Sequence, residues 1–172
     1  MKEQIKYTVV RDTREKEEKG WWFTPSERCA GTQEEKLDVG DYSIRGLEKF
    51  VTIERKGSVA EFCGNLTQAR FVAPYDAKKK LSRQSEFVRL EAVTHPFLIL
   101  EFDIDDLLRY PYIDAIPNRV RRYIRFKGPA AFKKVIELQM QYRTHIIFAG
   151  KSRGKDVAAS IFKRIIEEVE SK

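Results

Sequence analysis

Two acidic side chains and a lysine lie close together in the sequence, on two neighbouring predicted strands. Asp41 belongs to Val39-Gly40-Asp41-Tyr42, and Glu54 and Lys56 belong to Val51-Thr52-Ile53-Glu54-Arg55-Lys56. Because side chains alternate between the faces of a strand, Glu54 and Lys56 share one face, and Asp41 can meet them where the strands lie side by side. Two carboxylates suit a hard divalent cation such as Mg2+. A lysine beside that cation can position or deprotonate a water and offset charge on a phosphate, so the pattern is typical of phosphodiester hydrolysis.

The same residues also have a plainer interpretation. A Gly-Asp pair is a common turn, and a Glu-Arg-Lys at the end of a strand is more often a solvated edge than a catalytic motif, because short motifs match by chance. The choice between the two interpretations depends on the rest of the chain.

Composition predicts one globular domain with a polyanionic partner. The chain has 172 residues, of which 42% are hydrophobic, and a net charge of +7. This length is enough for a sizeable core, and a basic surplus suits nucleic acid first and an anionic membrane second. Cys29 and Cys63 lack the spacing of a disulfide framework or a metal site. The N-terminus has no apolar signal core and no run is long enough to span a membrane, so we expect a reduced, cytoplasmic protein.

Hydrophobic periodicity predicts a mixed α/β fold. Strands are expected at residues 6–12, 35–44, 50–56, 97–102 and 144–149, and helices at 58–66, 103–110, from 128 onward and 156–172. Ser58 is expected to cap the first helix. The expected apolar faces of the three longer helices are Val59, Phe62, Cys63 and Leu66; Phe132, Val135, Ile136 and Met140; and Val157, Ile161, Ile165 and Val169.

Several other signals have two interpretations. The basic groups Lys78-Lys79-Lys80 and 119–127, the latter with Arg121, Arg122 and Arg125, are either phosphate-binding surfaces or solvated faces. The pair Trp21-Trp22 either stacks on bases or packs in the core, and packing is the commoner role. The stretch 150–155 lacks the spacing of a Walker loop, and the two histidines share no ligand spacing.

Three motifs in one order decide between these interpretations. The segments "VVRDTRE", "LDVGDYSI" and "VTIERK" resemble the signature of the XPF-type nuclease domain of excision-repair nucleases, which is related to the restriction-endonuclease-like fold. The resemblance continues into "SVAEFCGNL". It implies an α/β fold with a mixed central sheet flanked by helices, and one nuclease domain over residues 1–172 with its catalytic motifs within residues 9–66.

Each site residue carried over from this family has a role that the resemblance implies. Asp41, Glu54 and Asp12 would bind Mg2+, for which Mn2+ would substitute, and Glu15 would complete the acidic cluster. Lys56 would assist the attacking water. A cluster of buried acids is stable only with a cation present, because like charges otherwise raise the proton affinity of the group.

The two arginines of the motifs, Arg14 and Arg55, have roles that depend on the direction of their side chains. Arg55 leaves its strand on the face of Val51 and Ile53, so a catalytic role at the phosphate would need a local twist. Arg14 would brace the carboxylates or contact the DNA backbone, together with the basic residues Lys78, Lys79, Lys80, Arg121, Arg122 and Arg125. Where the family has an acid four positions after the lysine, this chain has Ala60, and capping is the simpler role for Glu61.

The resemblance implies a metal-dependent endonuclease that acts on branched or flapped DNA. The chain shows no helix-hairpin-helix or helicase segment, so it is similar to a compact prokaryotic or viral form, which acts alone, as a homodimer or with a partner protein. Two alternatives stay open at this point, a catalytically inactive DNA-binding scaffold and a sequence-specific restriction-type enzyme.

Overall fold

A six-stranded mixed sheet forms the framework of the computed structural model, which describes residues 5–15, 18–67 and 86–172. The strands are β1 (Tyr7–Asp12), β2 (Cys29–Glu35), β3 (Tyr42–Ile44), β4 (Val51–Lys56), β5 (His95–Leu100) and β6 (His145–Phe148). Their order across the sheet is β2-β1-β3-β4-β5-β6. Strand β3 is antiparallel to both of its neighbours, whereas the pairs β1–β2, β4–β5 and β5–β6 are parallel.

Helices cover both faces of the sheet. They are α1 (Val59–Leu66), α2 (Glu86–Leu90), α3 (Ile104–Arg109), α4 (Asn118–Arg121), α5 (Gly128–Gln141) and α6 (Gly150–Ser171). One hydrophobic cluster joins α1, α2, α3 and α5 to Leu98 and Leu100 of β5. A second joins α6 to Val51, Ile53 and Ile99. Because both faces are covered, Thr52 is as fully buried as its neighbours on β4, as expected for a central strand.

The sheet differs from the sequence prediction in its second strand. Residues 29–35 form β2, which pairs in parallel with β1. The sequence did not predict this strand, because Pro25, Ser26 and Gly31 are residue types that usually interrupt regular structure. The strand expected at 35–44 is wrong over most of its length, since only Tyr42–Ile44 are extended in the sheet. The cause is Gly40, which has a φ of +77°, a left-handed conformation that interrupts a strand.

The helices differ from the prediction mainly in which faces they bury. Helix α1 begins after Ser58, whose side chain accepts a hydrogen bond from the Glu61 main-chain N–H at 3.1 Å, as expected. Helix α5 packs through Ala131, Val135 and Leu138. The predicted face is confirmed at Val135 and at Phe132, which packs against the core, and is wrong at Ile136 and Met140, which are exposed.

Helix α6 begins six residues earlier than expected and includes the rejected Walker-like stretch 150–155. Its fully buried side chains are Ala158, Phe162, Ile165 and Ile166, which confirms Ile165 of the predicted face. The predicted Val157 and Ile161 are partly buried and pack against the same cluster. The helix approaches Trp21 closely at Gly154, where an added Cβ would lie 2.6 Å from the indole.

Within residues 5–15, 18–67 and 86–172, no helix combines the length and apolarity needed to cross a bilayer. The predicted DNA-binding residues Lys78, Lys79 and Lys80 lie outside the described residues.

Candidate active site

The turn before β3 places Asp41 beside the end of β4. Gly40 lies so close to Thr52 that a Cβ on it would be 2.0 Å from the Thr52 Oγ1, so only glycine fits this approach. The Asp41 main-chain N–H donates to the Ile53 carbonyl oxygen at 2.8 Å, and Asp41 Oδ2 accepts from the Arg55 main-chain N–H at 2.7 Å. The predicted convergence of Asp41 with β4 is therefore present.

Glu54 and Lys56 form the other half of the cluster, with Glu86 as a third acidic member. Lys56 Nζ lies 2.5 Å from Glu54 Oε1 and 2.9 Å from Glu86 Oε1. All three side chains are largely buried, with 8 to 12% of their surface exposed. One lysine thus lies between two glutamates at the carboxyl end of β4, on the face that carries α1 and α2.

Burial and like charge make this cluster hold protons when no metal is bound. Burial, with a smaller contribution from the carboxylates of Glu15 and Glu86, raises the pKa of Asp41 to about 7, although the Arg55 N–H and the Lys56 ammonium act to lower it. Burial also raises the pKa of Glu54 well above its ordinary range, with added repulsion from Asp41 and Glu86. Such carboxylates gain from a cation that neutralises them both.

Lys56 and Glu86 pair with each other, and the pKa shift of each favours its charged form. Burial alone would lower the pKa of Lys56, but the carboxylates of Glu54 and Glu86 outweigh it and raise the pKa above the ordinary value. Burial favours a higher pKa for Glu86, yet hydrogen bonding to Glu54 and the charge of Lys56 lower it. Lys56 is therefore an ammonium at neutral pH and offers only N–H donors.

Asp12 lies at the end of β1, and its main-chain N–H donates to the Asp41 carbonyl oxygen at 2.8 Å. Its carboxylate accepts hydrogen bonds from Arg14 N, Arg14 Nε, Arg14 Nη2 and Leu37 N at 2.7 to 3.0 Å. These donors overcome burial and lower the pKa of Asp12. Arg14 braces a carboxylate, one of its two predicted roles, and the metal role predicted for Asp12 would require some of these bonds to break.

Arg55 and Glu15 meet on the other face of β4, away from Lys56. Arg55 Nη1 lies 2.8 Å from Glu15 Oε1, and Arg55 Nη2 lies 2.5 Å from Glu101 Oε2. Trp21 Nε1 donates to Glu101 Oε1 at 2.8 Å. We call these four residues the Arg55 cluster. The expected direction of Arg55 is confirmed, and Trp21 is a buried packing residue, whereas 42% of Trp22 is exposed.

The predicted DNA-binding arginines of the segment 119–127 divide into two kinds. Arg121 donates from Nε to the Ile116 carbonyl oxygen and from Nη2 to the Ile113 carbonyl oxygen, each at 2.8 Å, so its guanidinium braces the chain. Arg122 and Arg125 are exposed. The basic segment therefore combines one structural arginine with others that are open to solvent.

The donors of the cluster suit Mg2+ as a two-carboxylate site. Asp41 Oδ1 has no hydrogen bond to the described part of the chain, while Asp41 Oδ2 is held by the main chain. In the same residues no group of three or more acidic, histidine or cysteine side chains has the arrangement of a complete metal site. Mg2+ needs only one or two carboxylates, because waters and substrate phosphate oxygens complete its six ligands. Asp41 and Glu54 together meet that requirement.

Glu86 is the site residue that the sequence did not reveal. It begins α2, thirty positions beyond Lys56, and belongs to no motif with recognisable spacing. Its one sequence signal is an acidic residue directly before the apolar Phe87, which is too common to single out. Only the packing of α2 against β4 brings it to Lys56.

Comparisons with known proteins agree with this architecture. No protein-family model matches the chain, and no curated protein matches it. Among solved structures, the chain is similar to XPF from Aeropyrum pernix, with a TM-score of 0.55 and 19% identity over 92% of this chain and 60% of that one. A second structure, XPF from Aeropyrum pernix in complex with DNA, gives a TM-score of 0.57 and 18% identity over 95% of this chain and 66% of that one.

The chain thus spans less than two thirds of the length of either Aeropyrum chain. At this identity the likeness establishes architecture, and it agrees with the mixed sheet and its flanking helices. The chain has the XPF-like nuclease fold.

Proposed function

We propose that the protein is a divalent-metal-dependent DNA endonuclease that hydrolyses phosphodiester bonds in branched or flapped DNA. The observation that supports this proposal most is the pairing of Asp41 and Glu54, two partly buried carboxylates with raised pKa values, with one ammonium at 2.5 Å from Glu54. An ion pair with a purely structural role would gain nothing from having more carboxylates than the single Lys56 ammonium can neutralise.

Asp41 and Glu54 are the residues that would hold Mg2+, or Mn2+ in its place. When bound, the metal supplies Lewis acidity toward a phosphate oxygen and lowers the pKa of a water. Asp41 is fixed for this role by the Arg55 main-chain N–H, and Gly40 allows the close approach.

Lys56 acts as a cation in this proposal. Its raised pKa makes the ammonium a poor proton acceptor, so of the roles predicted for it, charge stabilisation at the phosphate and orientation of water fit best. Glu86 and Glu54 hold the ammonium from two sides. Glu86 is therefore proposed as a positioning residue, which acts through Lys56.

The DNA substrate is supported by the net charge of +7 and by the complex that the similar Aeropyrum protein forms with DNA. The preference for branched DNA rests on the resemblance of the motifs alone. Arg14, 57% exposed beside Asp12, retains a proposed contact with the DNA backbone.

The test is cleavage of labelled flap, fork, four-way-junction and linear duplex DNA in Mg2+, in Mn2+ and in EDTA. Asp41→Asn and Lys56→Ala should abolish metal-dependent cutting, and Asp38→Asn, which changes an exposed acid nearby, should not. The ranking of substrates would separate a branched-DNA enzyme from a restriction-type enzyme. Tight binding of DNA without cutting in either metal would refute the enzyme and favour a scaffold.

A further inference from the structure

A closed loop extends from the end of α3 to the start of α5, and we call residues 110–128 the basic loop. Its two ends are joined, since the Gly128 main-chain N–H donates to the Tyr110 carbonyl oxygen at 2.8 Å. Inside it, Ile116 is buried and Ile113, Ile124 and Phe126 pack against the core. Arg121 binds two carbonyl oxygens of the same loop. The loop is therefore a fixed platform.

The outer side of the basic loop presents aromatic rings and unpaired cations. Tyr112 and Tyr123 are 59% and 69% exposed. The Arg122 guanidinium carbon lies 4.8 Å from the Tyr123 ring centroid, and Arg122 Nη2 donates to the Tyr123 hydroxyl at 2.8 Å. Exposed aromatic rings interleaved with cations are the composition of surfaces that bind single-stranded nucleic acid. The exposed cations of the loop are Arg119, Arg122, Arg125 and Lys127.

The charge of this surface differs from that of the remaining surface. From Ala115 to Ile136 the sequence contains seven basic residues and no acidic one. Within the described ranges, the four exposed cations of the loop form no ion pair, whereas several exposed arginines elsewhere do, as Arg45 does with Glu35 and Arg143 with Glu91. The loop thus keeps its positive charge available for an anionic partner.

A cleft separates the basic loop from the chain that follows Lys56. Its volume is about 410 Å3, and it is lined on one side by Gly57 and Ser58 and on the other by Tyr112 and Ile113. The charged side chains of its lining have mixed sign, with the two cations Arg109 and Lys151 and the three acids Glu101, Asp106 and Asp114. The cleft therefore adds no net positive charge, and the cations available to an anionic partner are those of the basic loop.

From these features we infer that the exposed side of the basic loop binds the single-stranded arm of the DNA next to the scissile bond. This inference rests on the DNA substrate of the proposed function and specifies which part of it the loop receives. Cations alone would suit duplex and single strands equally. Exposed tyrosine faces favour unpaired bases, because the faces of paired bases are already stacked within the duplex.

Binding in EDTA tests this inference separately from cleavage. In the full chain carrying Asp41→Asn, the anisotropy of a labelled oligothymidine and of a labelled duplex of equal length would be measured. Tyr123→Ala and Tyr112→Ala should each weaken single-strand binding by about fivefold to a hundredfold, the range for loss of a stacked base. Duplex binding should change less than about twofold. Tyr123→Phe, which keeps the ring, should bind as the parent does.

Two matched controls separate stacking from general surface effects. Met140→Ala removes an apolar side chain that is 84% exposed on α5, and Arg164→Ala removes a cation on α6 that is also 84% exposed; neither should affect single-strand binding. Equal losses on duplex and single strand would overturn the inference in favour of a phosphate-binding surface, and unchanged binding in both tyrosine variants would overturn it outright.

Cleavage distinguishes the two proposals if one of them fails. If the parent chain cuts flapped DNA and the tyrosine variants bind single strands normally, the inference is refuted and the proposed function stands. If no DNA is cut while Tyr123→Ala selectively loses single-strand affinity, the endonuclease proposal fails and the binding surface stands.

Discussion

Two aspartates joined by a main-chain hydrogen bond have opposite electrostatics in this protein. Asp12 is the last residue of β1, and its carboxylate accepts hydrogen bonds from four N–H groups, which lower its pKa. Asp41 precedes β3 with one N–H on its carboxylate, and burial raises its pKa to about 7. The main-chain bond between them is 2.8 Å long. The carboxylate of Asp12 is thus held by several hydrogen bonds, whereas that of Asp41 accepts one within the described residues, and this difference favours Asp41 over Asp12 as the proposed metal ligand.

The largest effect is expected for activity. Asp41→Asn should reduce Mg2+-dependent cleavage by at least about a hundredfold, because an amide holds the cation far less strongly than a carboxylate. Asp12→Asn should reduce it much less after correction for the folded fraction. The measurement is single-turnover cleavage at saturating enzyme. Equal losses in the two variants would show that Asp12 is also a metal ligand, as its motif predicts.

Stability should show the reverse order. Asp12→Asn should lower the free energy of unfolding by about 3 kcal/mol, because the new amide group would face N–H donors with its own N–H. Asp41→Asn should leave the metal-free stability at pH 8 unchanged or higher. Urea unfolding in EDTA measures both, with the exposed Glu35→Gln as control. An Asp12→Asn protein as stable as the parent would contradict the structural role of Asp12.

The pH dependence separates the two aspartates further. Asp41 has a folded pKa of about 7 against an unfolded value of 3.8, so the unfolded chain ionises first and stability falls as pH rises from about 4 to 7. Asp12, with a lowered pKa, contributes stability that is lost only as pH falls below about 4. Metal-free protein should therefore lose at least about 1 kcal/mol between pH 5 and 8.

Thermal unfolding in EDTA across that pH range gives the test. Asp41→Asn should flatten the curve, and Mg2+ at pH 8 should raise the Tm of the parent but not of this variant. A pH profile that is identical in parent and variant would assign the destabilising charge to another group.

The smallest effect concerns the brace on Asp12. Arg14→Lys replaces a planar fork with a single ammonium and should cost about 1 kcal/mol in the free energy of unfolding. Arg45→Lys, in the exposed pair with Glu35 at 2.8 Å, should cost less than about 0.5 kcal/mol. The two variants are compared by urea unfolding in the same buffer. Equal costs would mean that solvent screens the Asp12 pair as fully as a surface pair.

Local sequence patterns predicted the elements that depend on nearby residues. The Glu54/Lys56 alternation on β4 and the Ser58 cap both follow from short-range rules, and the structure contains them. The fold class was also predicted, from three motifs in one order, and the XPF-like architecture confirms it.

What the sequence did not reveal depends on contacts between distant residues. Strand β2 forms because it pairs with β1, despite a glycine and a proline that read as breaks. Glu15 was expected to complete the acidic cluster, yet it pairs with Arg55 on the other face of β4. Glu86 reaches Lys56 only through the packing of α2. Periodicity identifies a buried face, but it does not specify which distant side chain completes a charged cluster.

The Arg55 cluster also gives the protein an intrinsic optical reporter. Trp21 is one of two tryptophans in the chain, and its indole N–H is hydrogen bonded to Glu101, which pairs with Arg55, whose main-chain N–H holds Asp41. With Trp22→Phe, all remaining tryptophan emission would come from Trp21. Cation binding at Asp41 should then shift its fluorescence, so that affinities for different metals can be compared without nucleic acid, dye or turnover.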